Sequence, residues 1–552
     1  MYGRSFLIVC DDEVDTGGDG VSSDAPLLVF LYIGLCFLSF VPFAFIEHPP
    51  IMDLPNHAAR MFLECSMGDP AVASMYRVSF GLIPNLAIDA VNVPLCGLFE
   101  PIAFLKGIII LALVAIYGAC WAIQRTLFGQ ANAMVLLVPA ISINVVTSMG
   151  YINFLVGIAI LMWMLVACLR MPRQLHRIII GNFGGILLFF SHIFALALAT
   201  VFFFGLLLPW GKLTVQAIVR TGMRTLAMFA FPLLLILFVE SGGQGFNPGY
   251  AAKLRAIAAP FLGFERNFAF ILSVAVYICV YLLLRQRLVR VHPSMRMVLT
   301  IGLAYVVLVP CNLQAAVDID SRSMVALSYV FLAAVSPSTT KRLLQPVLLL
   351  SALTLTIVNL TIVATQWRKF DSQVSELRAA LDILPATASV LSVRHADTPG
   401  SALPGYSVVY THLASYATLD RRVFNPLEFT GRGMQPLRSI GRFEAIDVGV
   451  SMPISTDRAL QLAEIDRNSG TKALPGSSRY AWKWRDNFDY VLYYHFGRDP
   501  NFDPAHLRLR RNGSFFSILE NVGRRAPAPG HLRTVNQHHD TTSQGQAGGR
   551  TS

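Results

Sequence analysis

Between the first and second apolar runs the chain reads Glu47-His48-Pro49-Pro50-Ile51-Met52-Asp53-Leu54-Pro55-Asn56-His57-Ala58-Ala59-Arg60. A carboxylate, an imidazole and a guanidinium thus fall within about two helical turns of one another. Asp53 suits the N-cap of a helix whose first turn holds Pro55. In such a helix His57, Arg60 and Glu64 follow at spacings of three and four and share a face. A carboxylate placed there suits a general base acting on a sugar hydroxyl, and the cationic groups suit a phosphate or pyrophosphate leaving group. The same spacing is that of an ordinary cap followed by polar residues at a membrane surface. The motif alone leaves both readings open.

Other positions carry groups of the same kind. His192 lies beside Ser191 between two apolar runs, where an ionisable side chain is either functional or satisfied by a backbone carbonyl. Asp318, Asp320 and Arg322 form a short loop that is expected to face Asp53 across a cavity and bind donor phosphate or a metal ion, unless an internal Asp–Arg pair uses them up. Glu47, six residues before Asp53, is a second acid near the motif. Of the eight cysteines, Cys36, Cys120, Cys168 and Cys279 sit in apolar runs and read as small core residues. Cys65 and Cys96 share one loop, as a disulfide or as two free thiols; no spacing resembles a metal site. Arg508–Arg511 alternates like a strand with one charged face, turned to anionic lipid, to polysaccharide or simply to water. The tail histidines His531, His538 and His539 have no metal geometry.

The elements that must position these residues are mostly apolar. Of 552 residues 54% are apolar and only 14% charged, against roughly 25% charged in soluble domains. The apolar residues gather in runs near the ~20 residues that cross a bilayer. These runs are 26–46, 102–123, 131–147, 149–169, 178–191, 193–210, 223–240, 268–285, 297–311, 324–338 and 343–365, about eleven spans in all. With the N-terminus in the cytoplasm, the inner connections hold Arg125, Arg170, Arg173, Arg177, Lys212, Arg220, Arg224, Arg285, Arg287, Arg290, Arg296, Lys341 and Arg342. The longer outer connections hold fewer cations, the positive-inside pattern. Merging 178–210 into one span would reverse the later loops, so eleven spans with an outer C-terminal part are expected. The net charge of +11 reflects these loop arginines rather than nucleic-acid binding.

Residues 1–25 are polar and acidic and read as a disordered cytoplasmic tail, and 26–366 as the transmembrane domain, with 47–101 as its outer catalytic loop. Within that loop, 76–86 suits an amphipathic helix on the membrane surface, or a loop packed against the spans. Residues 367–523 read as a small outer α/β domain: a helix over 370–384, then strands near 389–393, 406–410, 490–494 and 514–519. This domain is expected to pack over 47–101 and 241–267. Residues 524–552 read as a disordered tail.

An acid in the first outer loop, about eleven spans and a soluble outer C-terminal domain together resemble the GT-C superfamily of membrane glycosyltransferases. Asp53-Leu54-Pro55-Asn56-His57 is similar to the D-x-P-x-H form of that loop in bacterial members. The resemblance covers the plan of the whole chain, but its specific residues are confined to this loop. It implies a GT-C-like fold and a sugar donor carried on polyprenyl phosphate from within the bilayer. It also implies that Asp53 acts as catalytic base or metal contact. His57, Arg60, Glu47, His192, Asp320 and Arg322 are then the candidate substrate-binding residues. The chain lacks an adjacent acidic pair, so dependence on a divalent metal ion is left open.

The expected function is transfer of a sugar from a polyprenyl-phosphate donor to a glycan, lipid or protein acceptor at the outer face, with Asp53 as general base. The expected location is a multi-pass protein of a bacterial inner membrane, in contact with membrane lipids and not with nucleic acid. Two alternatives stand beside it. A transporter or flippase is disfavoured by the lack of an internal repeat and the scarcity of ionisable residues within the spans. A non-catalytic envelope-assembly protein is only mildly disfavoured by the presence of Asp53.

Overall fold

The computed structural model describes residues 25–171, 173–211, 213–239, 246–249, 253–261, 266–313, 316–338, 344–396, 407–447, 449, 452–468 and 480–523. The two expected disordered tails, with the tail histidines, lie outside these residues apart from Ala25 at the border of the first. The chain is a polytopic α-helical membrane protein with a C-terminal mixed β-sheet domain. Among the described residues five helices are long and apolar enough to cross a membrane: Pro26–Phe45, Pro101–Phe128, Ile152–Arg170, Val215–Ile236 and Pro346–Ile383. Gln174–Ser191, Ile193–Leu207, Arg266–Arg285, Arg296–Leu308 and Ile319–Ala334 are shorter or more polar, and fall on other apolar runs of the sequence.

The first helix is α1 (Ala25–Phe45), and the site draws on α2 (Leu54–Cys65), α3 (Ile152–Arg170) and α4 (Ile319–Ala334). The run expected as a continuous span over 131–147 is instead broken. It forms 3-10 turns at Ala133–Leu137 and Pro139–Ile141, then a short helix Val145–Met149. Pro139 cannot donate to a helical ladder. Asn144 and Thr147 then start the short helix by capping each other's backbone: Asn144 Oδ1 accepts from Thr147 N at 3.3 Å as well as from Val146 N at 2.8 Å, and Thr147 Oγ1 accepts from Asn144 N at 2.9 Å. Irregular backbone at this depth is tolerated where protein buries it, and Ser142, Asn144 and Thr147 are buried here. The break has a use. The carbonyls freed at its end, Ser148 O and Met149 O, accept from Met52 N at 3.0 Å and Asp53 N at 3.2 Å.

The first loop is not a surface helix over 76–86. Tyr76–Val78 is a strand, β1, paired antiparallel with Leu437–Ser439 of the C-terminal domain. A disulfide joins Cys65 to Cys96 and ties the end of α2 to the end of the loop. The expected helix over 370–384 is the continuation of one 37-residue helix, Leu344–Ala380, whose far end carries the sheet domain. Its sheet is built from β2 (Val390–Arg394), β3 (Ile454–Ser455), β4 (Tyr490–Tyr494), β5 (Leu507–Asn512) and β6 (Phe516–Asn521), in the order β5-β6-β4-β2-β3. β2 runs parallel to both neighbours and the other pairs are antiparallel. Residues 407–410, expected as part of a strand, form a 3-10 turn. On β5, Arg508 and Arg510 both pair with Glu520 of β6, so the charged strand face is partly neutralised within the sheet.

The sheet domain packs on the first loop. Besides the β1 pairing, Phe429 N donates to Asn56 Oδ1 at 2.9 Å and Asn56 Nδ2 donates to Leu427 O at 2.7 Å. Of 241–267, residues 241–245, 250–252 and 262–265 lie outside the described residues. The helix Lys253–Ala258 lies against α4 through Lys253 Nζ and Asp320 Oδ2, 3.2 Å apart.

Candidate active site

Asp53 stands directly before α2, in helical backbone (φ −86°, ψ −7°), and its side chain makes no capping hydrogen bond. The expected side-chain cap is absent: Asp53 has helical rather than extended backbone, and its carbonyl makes only the ordinary first helical bond, accepting from His57 N at 2.9 Å. Pro55 in the first turn has no N–H to satisfy. The carboxyl group is therefore free for other use. It is 7% exposed and lines a cavity of about 450 Å³ between the helical domain, the first loop and the sheet domain. Gly150 shapes this corner. Its φ of +81° favours glycine, and a Cβ there would stand 2.9 Å from Asp53 Cβ.

Burial pushes the Asp53 carboxyl up to about 7, against the pull of Arg322 and then Arg60. That places its titration where a general base is most effective at neutral pH. Burial, with the nearby Arg60 charge, also holds His57 well below its ordinary range, so its imidazole is neutral. Burial brings His412, from the sheet domain, down to about 4. His412 Nε2 lies 3.5 Å from Asp53 Oδ1. With His412 neutral this contact is not an ion pair, and at that length Oδ1 has no hydrogen-bond partner. The rings of His57 and His412 meet Phe429 edge to face, at 5.2 and 5.3 Å between centroids.

Arg322, in the first turn of α4, lines the same cavity. Its guanidinium lies over the Tyr151 ring, 3.3 Å from the centroid, and Nη1 stands 3.1 Å from His192 Nε2. His192 Nδ1 already accepts from Phe194 N at 3.2 Å. A neutral imidazole accepts at one nitrogen only, so the ring cannot satisfy both donors. Arg322 Nε is buried without a partner, and among the described residues no carboxylate lies within 4 Å of the guanidinium. Tyr151 OH donates instead to Asp318 Oδ2 at 3.0 Å. A buried cation that lines a cavity and has no carboxylate partner among the described residues is suited to an anion.

Asp53, His57, His192 and Arg322 are thus brought together around one cavity. Three other candidates are not. Arg60 is wholly buried and already paired: Nε to Asp89 Oδ1 is 2.7 Å, and Nη1 donates to Gln435 Oε1 at 2.5 Å. Glu64 completes that cluster, its carboxyl pushed up to about 9 by burial and by Asp89 beside it. Arg60 therefore braces the first loop against the sheet domain, since its guanidinium offsets the burial of two carboxyl neighbours. Asp320 pairs with Lys253 and takes the Ser321 backbone N–H at 2.8 Å, away from the cavity. The Glu47 side chain is 74% exposed, beside His48 and Arg378. Among the described residues no group of three or more His, Cys, Asp or Glu side chains is close enough to hold a metal ion.

Sequence reading missed Asn56, Gly150, Tyr151, His412 and Phe429. Asn56 was open to notice, since it lies inside the motif one turn from Asp53. The others come from distant segments, and local spacing carries no sign of them.

No family model matches the chain, and no curated protein sequence does. Among solved structures it is similar to ArnT from Cupriavidus metallidurans in the apo state, at 12% identity and a TM-score of 0.49, covering 91% of this chain and 99% of that one. It is also similar to ArnT from Cupriavidus metallidurans bound to undecaprenyl phosphate, at 12% identity and a TM-score of 0.37, covering 92% of this chain and 100% of that one. Both scores are below 0.5, too low for either likeness to bear on mechanism.

Proposed function

We propose that the chain is a membrane glycosyltransferase of the GT-C type, taking a sugar from a polyprenyl-phosphate donor to a hydroxyl acceptor on the face that bears the sheet domain. One observation carries the reading: a single cavity holds a buried carboxyl titrating near 7 and, on another wall, a buried arginine without a carboxylate partner. Base and anion site are both needed to move a glycosyl group from phosphate to a hydroxyl, and the surroundings of Asp53 and Arg322 support those two roles.

In this reading the acceptor oxygen attacks the anomeric carbon while Asp53 takes the hydroxyl proton. The bond from that carbon to the phosphate oxygen breaks, and its electron pair leaves with the lipid phosphate. Arg322 stabilises the charge that develops there. The neutral His57 and His192 add polarity without competing for the anion. Orientation follows the basic loops, with the N-terminus in the cytoplasm and the sheet domain outside, as in a bacterial inner membrane.

The test uses the purified full chain in nanodiscs and undecaprenyl phosphate as probe. Arg322→Gln is expected to weaken binding by roughly tenfold or more, the value of one charge-assisted hydrogen bond, while Asp53→Asn leaves it within about threefold. Equal binding by wild type and Arg322→Gln overturns the assignment.

A further inference from the structure

The sheet domain contributes His412 to the cavity, and the geometry points to His412 as a positioning residue that donates from Nε2 to the ionised Asp53 carboxylate. The inference rests on the reading of Asp53 as base and deepens it, since the base is then complete only with the sheet domain docked.

The proton on His412 can be located from its neighbours. Asn56 Oδ1 accepts from Phe429 N at 2.9 Å, which fixes the orientation of that amide. Its Nδ2 then faces Leu427 O at 2.7 Å and His412 Nδ1 at 3.2 Å. Nδ2 is a donor only, so His412 Nδ1 is the acceptor and the one proton of the neutral ring is on Nε2. That N–H looks at Asp53 Oδ1 from 3.5 Å. The contact is open while the carboxyl is protonated and shortens as the charge forms, since hydrogen bonds to ions are shorter and stronger.

The same proton assignment excludes a relay. His412 has one nitrogen occupied by an Asn donor and the other already protonated, so it cannot receive the proton that Asp53 takes from an acceptor. Its part is to hold Oδ1, leaving Oδ2 to act as the base. Phe429, wedged edge to face between His57 and His412, keeps both rings from turning. The arrangement joins three segments remote in sequence: Asp53 and Asn56 at the start of α2, His412, and the 427–429 stretch.

The groups facing Asp53 are Arg60 and His57 from α2, Arg322 from α4, Tyr151 before α3, and His412. Among the described residues only His412 presents a neutral donor to Oδ1, so its removal should destabilise the ionised form. The experiment is labelling of the purified full chain with dicyclohexylcarbodiimide, which attacks protonated buried carboxyls, with Asp53 occupancy read by peptide mass spectrometry across pH 5–9. Wild type should lose labelling with a midpoint above the ordinary carboxyl value of 3.8 and no higher than about 7. In His412→Phe the midpoint should rise by about one to two pH units. In His412→Gln, whose amide restores a donor, it should return to within about half a unit of wild type. An unmoved midpoint in His412→Phe, in protein that still elutes as a single species with the Cys65–Cys96 bond formed, overturns the inference. An equal rise in both variants overturns it too, because the cause is then packing rather than the donor. Neither result bears on glycosyl transfer, since the measurement uses no donor or acceptor, so the two ideas fail separately.

Discussion

Replacing Asp53 with Asn should make the protein more stable at alkaline pH and inactive at every pH. Raising the carboxyl from its ordinary 3.8 to about 7 means that the ionised form is disfavoured in the fold by about 4 kcal/mol, at ~1.4 kcal/mol per pH unit. Because the folded value lies above the unfolded one, the contribution of this group is complete below pH 3.8 and is lost as the pH rises to about 7. Roughly 1.6 kcal/mol is lost by pH 5 and the full ~4 kcal/mol by pH 8. Asn carries no charge, but its buried amide has a cost of about 1–2 kcal/mol where it finds no partner. The net gain is then near zero at pH 5 and about 2–3 kcal/mol at pH 8. For a chain of this size that is a rise of about 2–3 °C in apparent Tm. The assay is thermal unfolding of detergent-solubilised wild type and Asp53→Asn at pH 5 and pH 8, followed by tryptophan fluorescence. A Tm difference of the same size at both pH values would refute the reasoning, because Asp53 would then carry no ionisation strain.

Gly150→Ala should lower activity at least tenfold and stability by about 1–3 kcal/mol, since φ of +81° and the 2.9 Å approach to Asp53 leave no room for a Cβ; activity at matched protein level and thermal unfolding check it. Arg60→Met should destabilise by about 3–5 kcal/mol, because Asp89 is left buried without its partner. A fall in Tm with no change in undecaprenyl phosphate binding by the surviving fold distinguishes this from a substrate contact. Cys65→Ser with Cys96→Ser should cost about 2–4 kcal/mol by freeing the first loop in the unfolded chain, read as a lower Tm and faster proteolysis within residues 66–95.

The helical architecture was legible because lipid and protein interior impose the same long apolar runs, and the helices fall on those runs. The broken 131–147 segment was not. Its hydropathy is that of a span, and only the neighbours that satisfy Asn144 and Thr147 make the break tolerable. Asp53, His57, His192 and Arg322 could be picked out as ionisable groups where the chain meets or leaves apolar runs. Arg60 looked the same at helical spacing, yet Asp89 and Gln435, far off in sequence, turn it into a brace. Asp320 was likewise claimed by Lys253. Spacing along one helix says which side chains share a face and nothing about what occupies that face from outside. For that reason His412, remote from Asp53 in sequence, was invisible until the sheet domain was seen docked.

The central claim is tested most directly by mass spectrometry of lipid-linked and surface glycans in cells carrying wild type, a deletion, or Asp53→Asn at matched protein levels. Loss of the same sugar in the deletion and in Asp53→Asn is the predicted result. A glycan lost in the deletion but kept in Asp53→Asn would contradict Asp53 as the base and, with it, the proposed transfer.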